Sequence, residues 1–218
     1  QLSALTDVLQ SVRERAVQAG NTVLADSDRQ AIASELEVRL EEMLGIANGR
    51  SAEGDYLFSG YQGNTQPFVR SPAAPPGTSS VSYSGDDGER LLQVGASRQM
   101  AVNVTGSDLF TPSTNKSVFQ TMQDLIDLLH APIGSPAART AFSGQLAGHL
   151  TDLDQAMANV SRVQSSVGAR MQELDALSSN TAAVDIQYQQ MLSELQDLDY
   201  VKAISDFTRQ QVSLEAAQ

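Results

Sequence analysis

Few side chains in this sequence are of a kind that reacts. It contains two histidines, His130 and His149, and no cysteine. The lack of cysteine excludes a thiolate nucleophile, a disulfide framework and a Cys-ligated metal. His130 falls at the end of a predicted helix, where a cation favours the helix dipole. His149 lies beside the apolar residue Leu150 and reads as a flanking side chain. No HExxH, GxSxG, GxGxxG or Walker pattern occurs.

Carboxylates are the remaining candidates. Asp86, Asp87 and Glu89 cluster near Gly85 and Gly88. Calcium could use such a cluster, but EF-hand spacing is absent, and Asp with Gly is ordinary turn chemistry. Asp26 and Asp28 could pose as a catalytic pair. Their place just ahead of a helical pattern favours capping and complementation of the helix dipole. The residues therefore predict no catalytic centre, no cofactor and no metal. Paired-carboxylate hydrolysis stays as a distant alternative.

The elements that would carry these groups are legible from turn formers. All seven prolines lie between Pro67 and Pro136, and ten of the fifteen glycines between Gly45 and Gly106. Two helical flanks around an irregular or β-rich middle follow from that distribution. In the first flank Leu2, Leu5, Leu9, Val12, Ala16 and Ala19 step by 3 and 4, a heptad-type stripe. Gly20 and Asn21 can stop it in the left-handed conformation. Ser27 to Gln30 reads as a capping box for a second helix with Ile32, Leu36, Leu40, Met43 and Leu44 on one face. Asn48-Gly49 is its stop.

In the middle, Ser80–Ser84 alternates, Gly85–Gly88 reads as a turn and Leu91–Val94 follows, so these segments predict a hairpin. Met100, Val102 and Val104 predict a further strand. Ser71–Gly77 is a proline-rich loop. Lys116–His130 predicts a short helix ended by Pro132 and Gly134. Then Leu146, Leu150, Leu153, Met157, Val160, Gln164, Val167, Met171, Leu174 and Ser178 form an unbroken seam. Its polar member, Gln164, reads as a residue that fixes register. Ser178-Ser179-Asn180 predicts an interruption, and Val184, Tyr188, Met191, Leu195 and Leu198 a new stripe. Helices of more than about 30 residues exceed the globular norm of roughly 11–12 and suit a rod.

The expected fold is thus α+β and mainly α: an elongated antiparallel helical bundle with a β-rich insert. Residues 1–54 and 114–218 form the discontinuous rod, and residues 55–113 the insert. A net charge of −12 repels nucleic-acid phosphates and anionic head groups, so neither nucleic acid nor membrane is an expected partner. No apolar run reaches membrane-spanning length. The first residues lack the basic and apolar regions of a secretory signal, and the chain reads as part of something longer.

Several segments resemble the flagellin superfamily. Leu9-Gln10-Ser11-Val12-Arg13-Glu14-Arg15-Ala16-Val17-Gln18-Ala19 is similar to the stretch that opens its rod domain. Asp28-Arg29-Gln30-Ala31-Ile32 with Glu35-Leu36 matches the next helix. Gln164-Ser165-Ser166-Val167-Gly168-Ala169 and Asp197-Leu198-Asp199-Tyr200-Val201 resemble the returning helices. Within the superfamily, Gly54-Asp55-Tyr56-Leu57-Phe58-Ser59-Gly60-Tyr61 and Gln187-Tyr188-Gln189-Gln190 resemble the hook-associated protein 3 (FlgL) family rather than flagellin itself.

The resemblance implies a structural adaptor, exported unfolded by the type III apparatus with an export chaperone. Its partners would be the first hook-associated junction protein, flagellin, and copies of itself in a ring at the hook–filament junction, outside the cell. A flagellin filament subunit is the near alternative. Inner-tube terminal helices, which such proteins carry, are absent from this stretch, which predicts a monomer in solution. Ser11 and Arg15 replace basic and apolar residues of the superfamily's innate-receptor surface, so that recognition is not expected. Charged residues on the first two helices, Arg13, Glu14, Asp28 and Arg29, are the candidate intersubunit contacts. Tyr56, Leu57 and Phe58 are expected to pack where rod meets insert.

Overall fold

The computed structural model describes residues 1–21, 24–71, 80–95, 97–112 and 115–217, with the side chains of 197–199 left aside. Packing divides the chain into two compact units, Gln1–Gly168 and Ala169–Gln218. Among the described residues the elements run α1 (Leu2–Ala19), α2 (Asp26–Ala47), β1 (Phe68–Arg70), β2 (Val81–Tyr83), β3 (Leu91–Gly95), β4 (Arg98–Ala101), α3 (Gly106–Phe110), α4 (Val118–His130) and α5 (Pro136–Glu215). The fold is mainly helical, with two small antiparallel sheets.

The first unit is built on helices whose apolar stripes face one core. In α1 the expected stripe is buried from Leu5 to Ala19, with Leu2 packed at its edge. Val8 is buried too, which widens the stripe to the width that a helix with several neighbours needs. In α2, Ile32, Leu36, Leu40 and Met43 are buried as the spacing predicts. Met122, Leu125, Ile126 and Leu129 of α4 complete the centre. The part of α5 in this unit contributes Leu146, Leu153, Val160 and Val163.

Polar contacts fix the directions. Arg13 meets Asp154, while Leu2 and Thr6 meet Gln164, so α1 and this part of α5 run antiparallel. Arg15 on α1 meets Glu35 on α2. Gly20, after α1, has φ −70°, so it ends the helix without the left-handed turn the sequence suggested. Its use is close approach: a β-carbon there would sit 3.0 Å from Leu146 Cδ2.

The start of α2 also differs from expectation. The cap is Ala25, not Ser27, and Asp28 accepts from the Ala25 N–H at 3.2 Å. Alanine has no side-chain acceptor, so only half of a capping box forms. The acids of the first turn, Asp26 and Asp28, supply the negative charge that a helix start favours.

Strands β2, β3 and β4 fall in segments expected to be strands, β1 (Phe68–Arg70) was not expected, and the pairing differs from the expected hairpin. β1 pairs with β2 in the register Phe68↔Tyr83, and β3 with β4 in the register Leu92↔Met100. The expected hairpin between the Ser80–Ser84 and Leu91–Val94 segments does not form. Two contacts explain this. Phe68 and Tyr83 rings pack 5.1 Å apart across β1 and β2. Asp86 accepts from the Tyr61 and Gly88 N–H groups, which folds the Gly85–Gly88 segment back onto Gly60-Tyr61 instead of into a hairpin turn. Strand β4 stops at Ala101, short of Val102 and Val104. Pro72–Gly77, read as a loop, lies outside the described residues.

Four phenylalanines join the strands to the helices. Phe68 lies 5.0 Å from Phe110 and 5.1 Å from Phe119; Phe58 is 5.6 Å from Phe110. All four are buried, so Phe58 is core, as its neighbourhood suggested, and Leu57 packs against it. Edge-to-face and offset rings of this kind add to ordinary area burial.

The second unit, taken by itself, is helical through Glu215. The expected interruption at Ser178-Ser179-Asn180 does not occur: serine and asparagine lower helix propensity only slightly and do not break a long ladder. Met171, Leu174, Val184, Tyr188, Met191 and Leu195 are exposed. The seam is therefore buried at Leu146, Leu153 and Val160, partly buried at Leu150, Met157, Gln164 and Val167, and exposed at Met171 and Leu174.

Candidate assembly surface

The charged residues picked from the sequence have separate fates. Arg13 Nε donates to Asp154 Oδ1 at 2.6 Å, and both side chains are about half exposed, 43% and 49%. That hydrogen bond holds the Asp154 carboxyl below the usual carboxylate range. Glu14 is exposed on the same helix. Asp28 is exposed and occupied with the Ala25 N–H.

Arg29 leaves the surface set. It is 4% exposed, pairs with Asp26, donates to the Leu24 carbonyl at 3.3 Å, and lies 5.5 Å from the Phe142 ring centroid. A guanidinium tolerates this because it is weakly hydrated and stacks on aromatic faces. Sequence position alone puts Arg29 beside Asp28; the helical turn of about 100° per residue carries it off the exposed face and into the core.

The groups that might have suggested chemistry are structurally employed. Asp87 accepts from Ser107 Oγ, and Asp86 holds the turn described above. Arg90 reaches Gly60 O at 3.0 Å and Asp55 at 3.5 Å. His130 Nε2 lies 3.4 Å from Glu37. His149 is half-buried, and burial, with Lys116 nearby, pushes its pKa down. Among the described residues no group of three His, Asp or Glu is placed to hold a metal, and no helix is long and apolar enough to cross a membrane.

Two asparagines that the sequence reading passed over tie the parts together. Asn48, read only as a helix stop, donates Nδ2–H to Phe68 O at 2.9 Å and accepts the Phe68 N–H at 3.0 Å. Asn159 on α5 donates to the carbonyls of Asp108 and Leu109 at 2.7 and 3.1 Å, and Arg162 donates to Asp108 at 2.7 Å. The only sequence signal for Asn159 is a polar residue next to the seam residue Val160. The architecture is thus an antiparallel pairing of α1 with the first part of α5, with the β1–β2 sheet clipped to α2 through Asn48 and α3 clipped to α5 through Asn159.

Comparison with known proteins matches this arrangement at both ends. Residues 1–63 match the model of the bacterial flagellin N-terminal helical region, and residues 150–218 that of the bacterial flagellin C-terminal helical region. The chain belongs to the flagellin superfamily. Within the superfamily it is similar to flagellar hook-associated protein 3 of Escherichia coli, with 28% identity over 99% of the chain and 70% of that protein. Flagellin of Bacillus subtilis is also 28% identical, over 99% of the chain and 68% of its own length. A solved structure of the hook-associated protein 3 from Legionella pneumophila shares the fold, with a TM-score of 0.80, 21% identity and 90% coverage of each chain. The chain is a structural flagellar component, similar both to hook-associated protein 3 and to flagellin.

Proposed function

We propose that this flagellin-superfamily chain works as an adaptor at the hook–filament junction, between the hook-proximal junction protein and flagellin. The observation that carries the reading is the antiparallel pairing of α1 with α5, in which Gln164 reaches Leu2 and Arg13 reaches Asp154. A junction subunit must transmit torque without local unfolding. Helices packed along a continuous seam resist bending because each core side chain is held by several neighbours.

In this reading residues 1–54 and 114–218 supply the rod and residues 55–113 the inserted part. The subunit is exported through the flagellar type III apparatus with a chaperone, and it acts outside the cell without catalysing a reaction. Copies meet through two different faces, as a ring requires. Arg13, Glu14 and Asp28 are the proposed contact residues on one of them; Arg29 supports that face from beneath.

The test is complementation. A strain deleted for its own hook-associated protein 3 should regain filaments when given the gene for this protein. Filament loss on charge reversal at Arg13 or Glu14, with folding intact, would support the contact assignment. A strain that already carries hook-associated protein 3 but lacks flagellin, and regains filaments from this gene, would instead make the chain a filament subunit.

A further inference from the structure

One recess in the first unit combines a buried, incompletely bonded guanidinium with a cation that has no acid beside it. The cavity, of about 80 Å³, is lined by Asn21, Asp26, Arg29, Arg139, Phe142 and Ser143, among others. Arg29 is 4% exposed, and its Nε is buried with no hydrogen-bond partner. Its other two nitrogens are used: Nη2 faces Asp26 Oδ1 and Nη1 donates to Leu24 O. Arg139 is exposed at the rim, and among the described residues it forms no ion pair.

The charge balance at this recess is unusual for a chain of net charge −12. Arg13, Arg15, Arg39, Arg90 and Arg162 each sit against a carboxylate, whereas this recess is lined by two guanidinium groups and one carboxylate, Asp26, which pairs with Arg29 alone. An orphan buried N–H is costly and is ordinarily satisfied by a ligand or an ordered water. One water takes roughly 30 Å³, so the cavity is larger than a single water requires. A planar carboxylate suits guanidinium donors better than any neutral group of that size. The positive end of α2 lies at the same recess, since Asp26 is its first residue.

We propose that the Arg29–Arg139 recess is a binding site for a carboxylate-sized anion, with Arg29 Nε as the inner donor and Arg139 as the outer one. The carboxylate comes either from a small free anion or from an acidic side chain of a second copy, since the chain carries 26 Asp and Glu residues. Phe142 forms the apolar wall on which the Arg29 guanidinium rests. The site is separate from the proposed adaptor role and stands or falls independently of it.

The test follows the Arg29 Nε–H signal by NMR, which a buried group keeps in slow exchange with water. Sodium acetate is titrated against sodium chloride at matched ionic strength, in the unmodified chain and in Arg139→Gln and Arg139→Lys. A saturable shift seen with acetate alone, weakened roughly tenfold in Arg139→Gln and largely kept in Arg139→Lys, supports a free carboxylate. A shift that instead grows with protein concentration in chloride, and is lost in Arg139→Gln, supports the second copy. A signal that neither acetate nor protein concentration moves, or that moves equally in Arg139→Gln, overturns the site and leaves water as its occupant. Arg139 is exposed, so both variants should fold, and an unchanged spectrum away from the recess verifies it.

Discussion

Gln164 and Leu2, 162 positions apart in sequence, are joined by a hydrogen bond from the glutamine side chain to the leucine carbonyl at 3.1 Å. The same nitrogen reaches Thr6 Oγ1 at 3.0 Å. Leu2 opens α1, where helix N–H groups are unpaired but carbonyls are not, so this carbonyl accepts the Gln164 and Thr6 side-chain bonds in addition to its place in the helix. A polar residue inside a seam can fix how two helices slide past each other. Here it fixes α1 against α5 at the end of the buried seam.

Replacing Gln164 by alanine removes both bonds and leaves Thr6 with its own bond to Leu2 O. The expected loss is about 1–2 kcal/mol, since the site is only partly buried. Urea unfolding followed by far-UV circular dichroism measures it. Gln164→Leu should recover much of the loss by apolar packing; if both variants unfold at the unmodified midpoint, the pairing is not held by this side chain.

Asn48 imitates a strand edge: it offers one donor and one acceptor to the backbone of Phe68. Aspartate at position 48 keeps the acceptor and loses the donor, while alanine loses both. Asn48→Ala should cost about 1–3 kcal/mol, because it leaves backbone groups of a fully buried residue unpaired. Hydrogen exchange gives the sharper reading. The amides of β1 and β2 should exchange faster in the variant while those of α1 stay protected, and uniform exchange throughout would show that Asn48 has no local role.

Much of this architecture was legible in the sequence because helical periodicity reports burial directly. Leu5, Leu9, Val12, Ala16 and Ala19 lie on the buried face as spaced, and so do Ile32, Leu36, Leu40 and Met43. Strand pairing was not legible. The patterns at Ser80–Ser84 and Leu91–Val94 say strand, but the partner is chosen by non-local packing, here Phe68 on Tyr83. The polar clips were also hidden, because a single asparagine at a helix end reads as a stop whatever it touches. Arg29 shows the reverse case: a residue chosen for its charge was buried by the turn of the helix that carries it.

Gly60 has φ +69°, and a β-carbon there would run into Asp86. Both features forbid a side chain, one by backbone conformation and the other by space. Gly60→Ala should therefore destabilise the chain by more than the roughly 1 kcal/mol of an ordinary left-handed alanine. It should also release the Asp86 bond to the Tyr61 N–H. Thermal unfolding of Gly60→Ala beside Gly54→Ala separates the two causes. Gly54 also has positive φ, at 94°, but its β-carbon would meet nothing. Equal loss at the two positions would refute the steric part.

His149 supplies the acid dependence. Its pKa is pushed below the ordinary 6.5 first by burial and then by Lys116, with Asp124 and Asp152 acting weakly the other way. Its Nδ1 is buried without a partner, and Asp127 and Gln145 also line the groove beside it. The unfolded chain takes up a proton near 6.5, and the folded chain only at lower pH. The contribution of His149 is thus fully present above that value and is lost as the pH falls through it toward the folded-state midpoint. His149→Gln, which cannot titrate, should flatten the fall of Tm between about pH 7 and pH 5. An NMR titration of His149 should give a midpoint below 6.5 in the unmodified chain. A midpoint at or above the ordinary histidine value, or an equally steep acid fall in His149→Gln, would place the acid sensitivity in the carboxylate pairs such as Arg13–Asp154 instead.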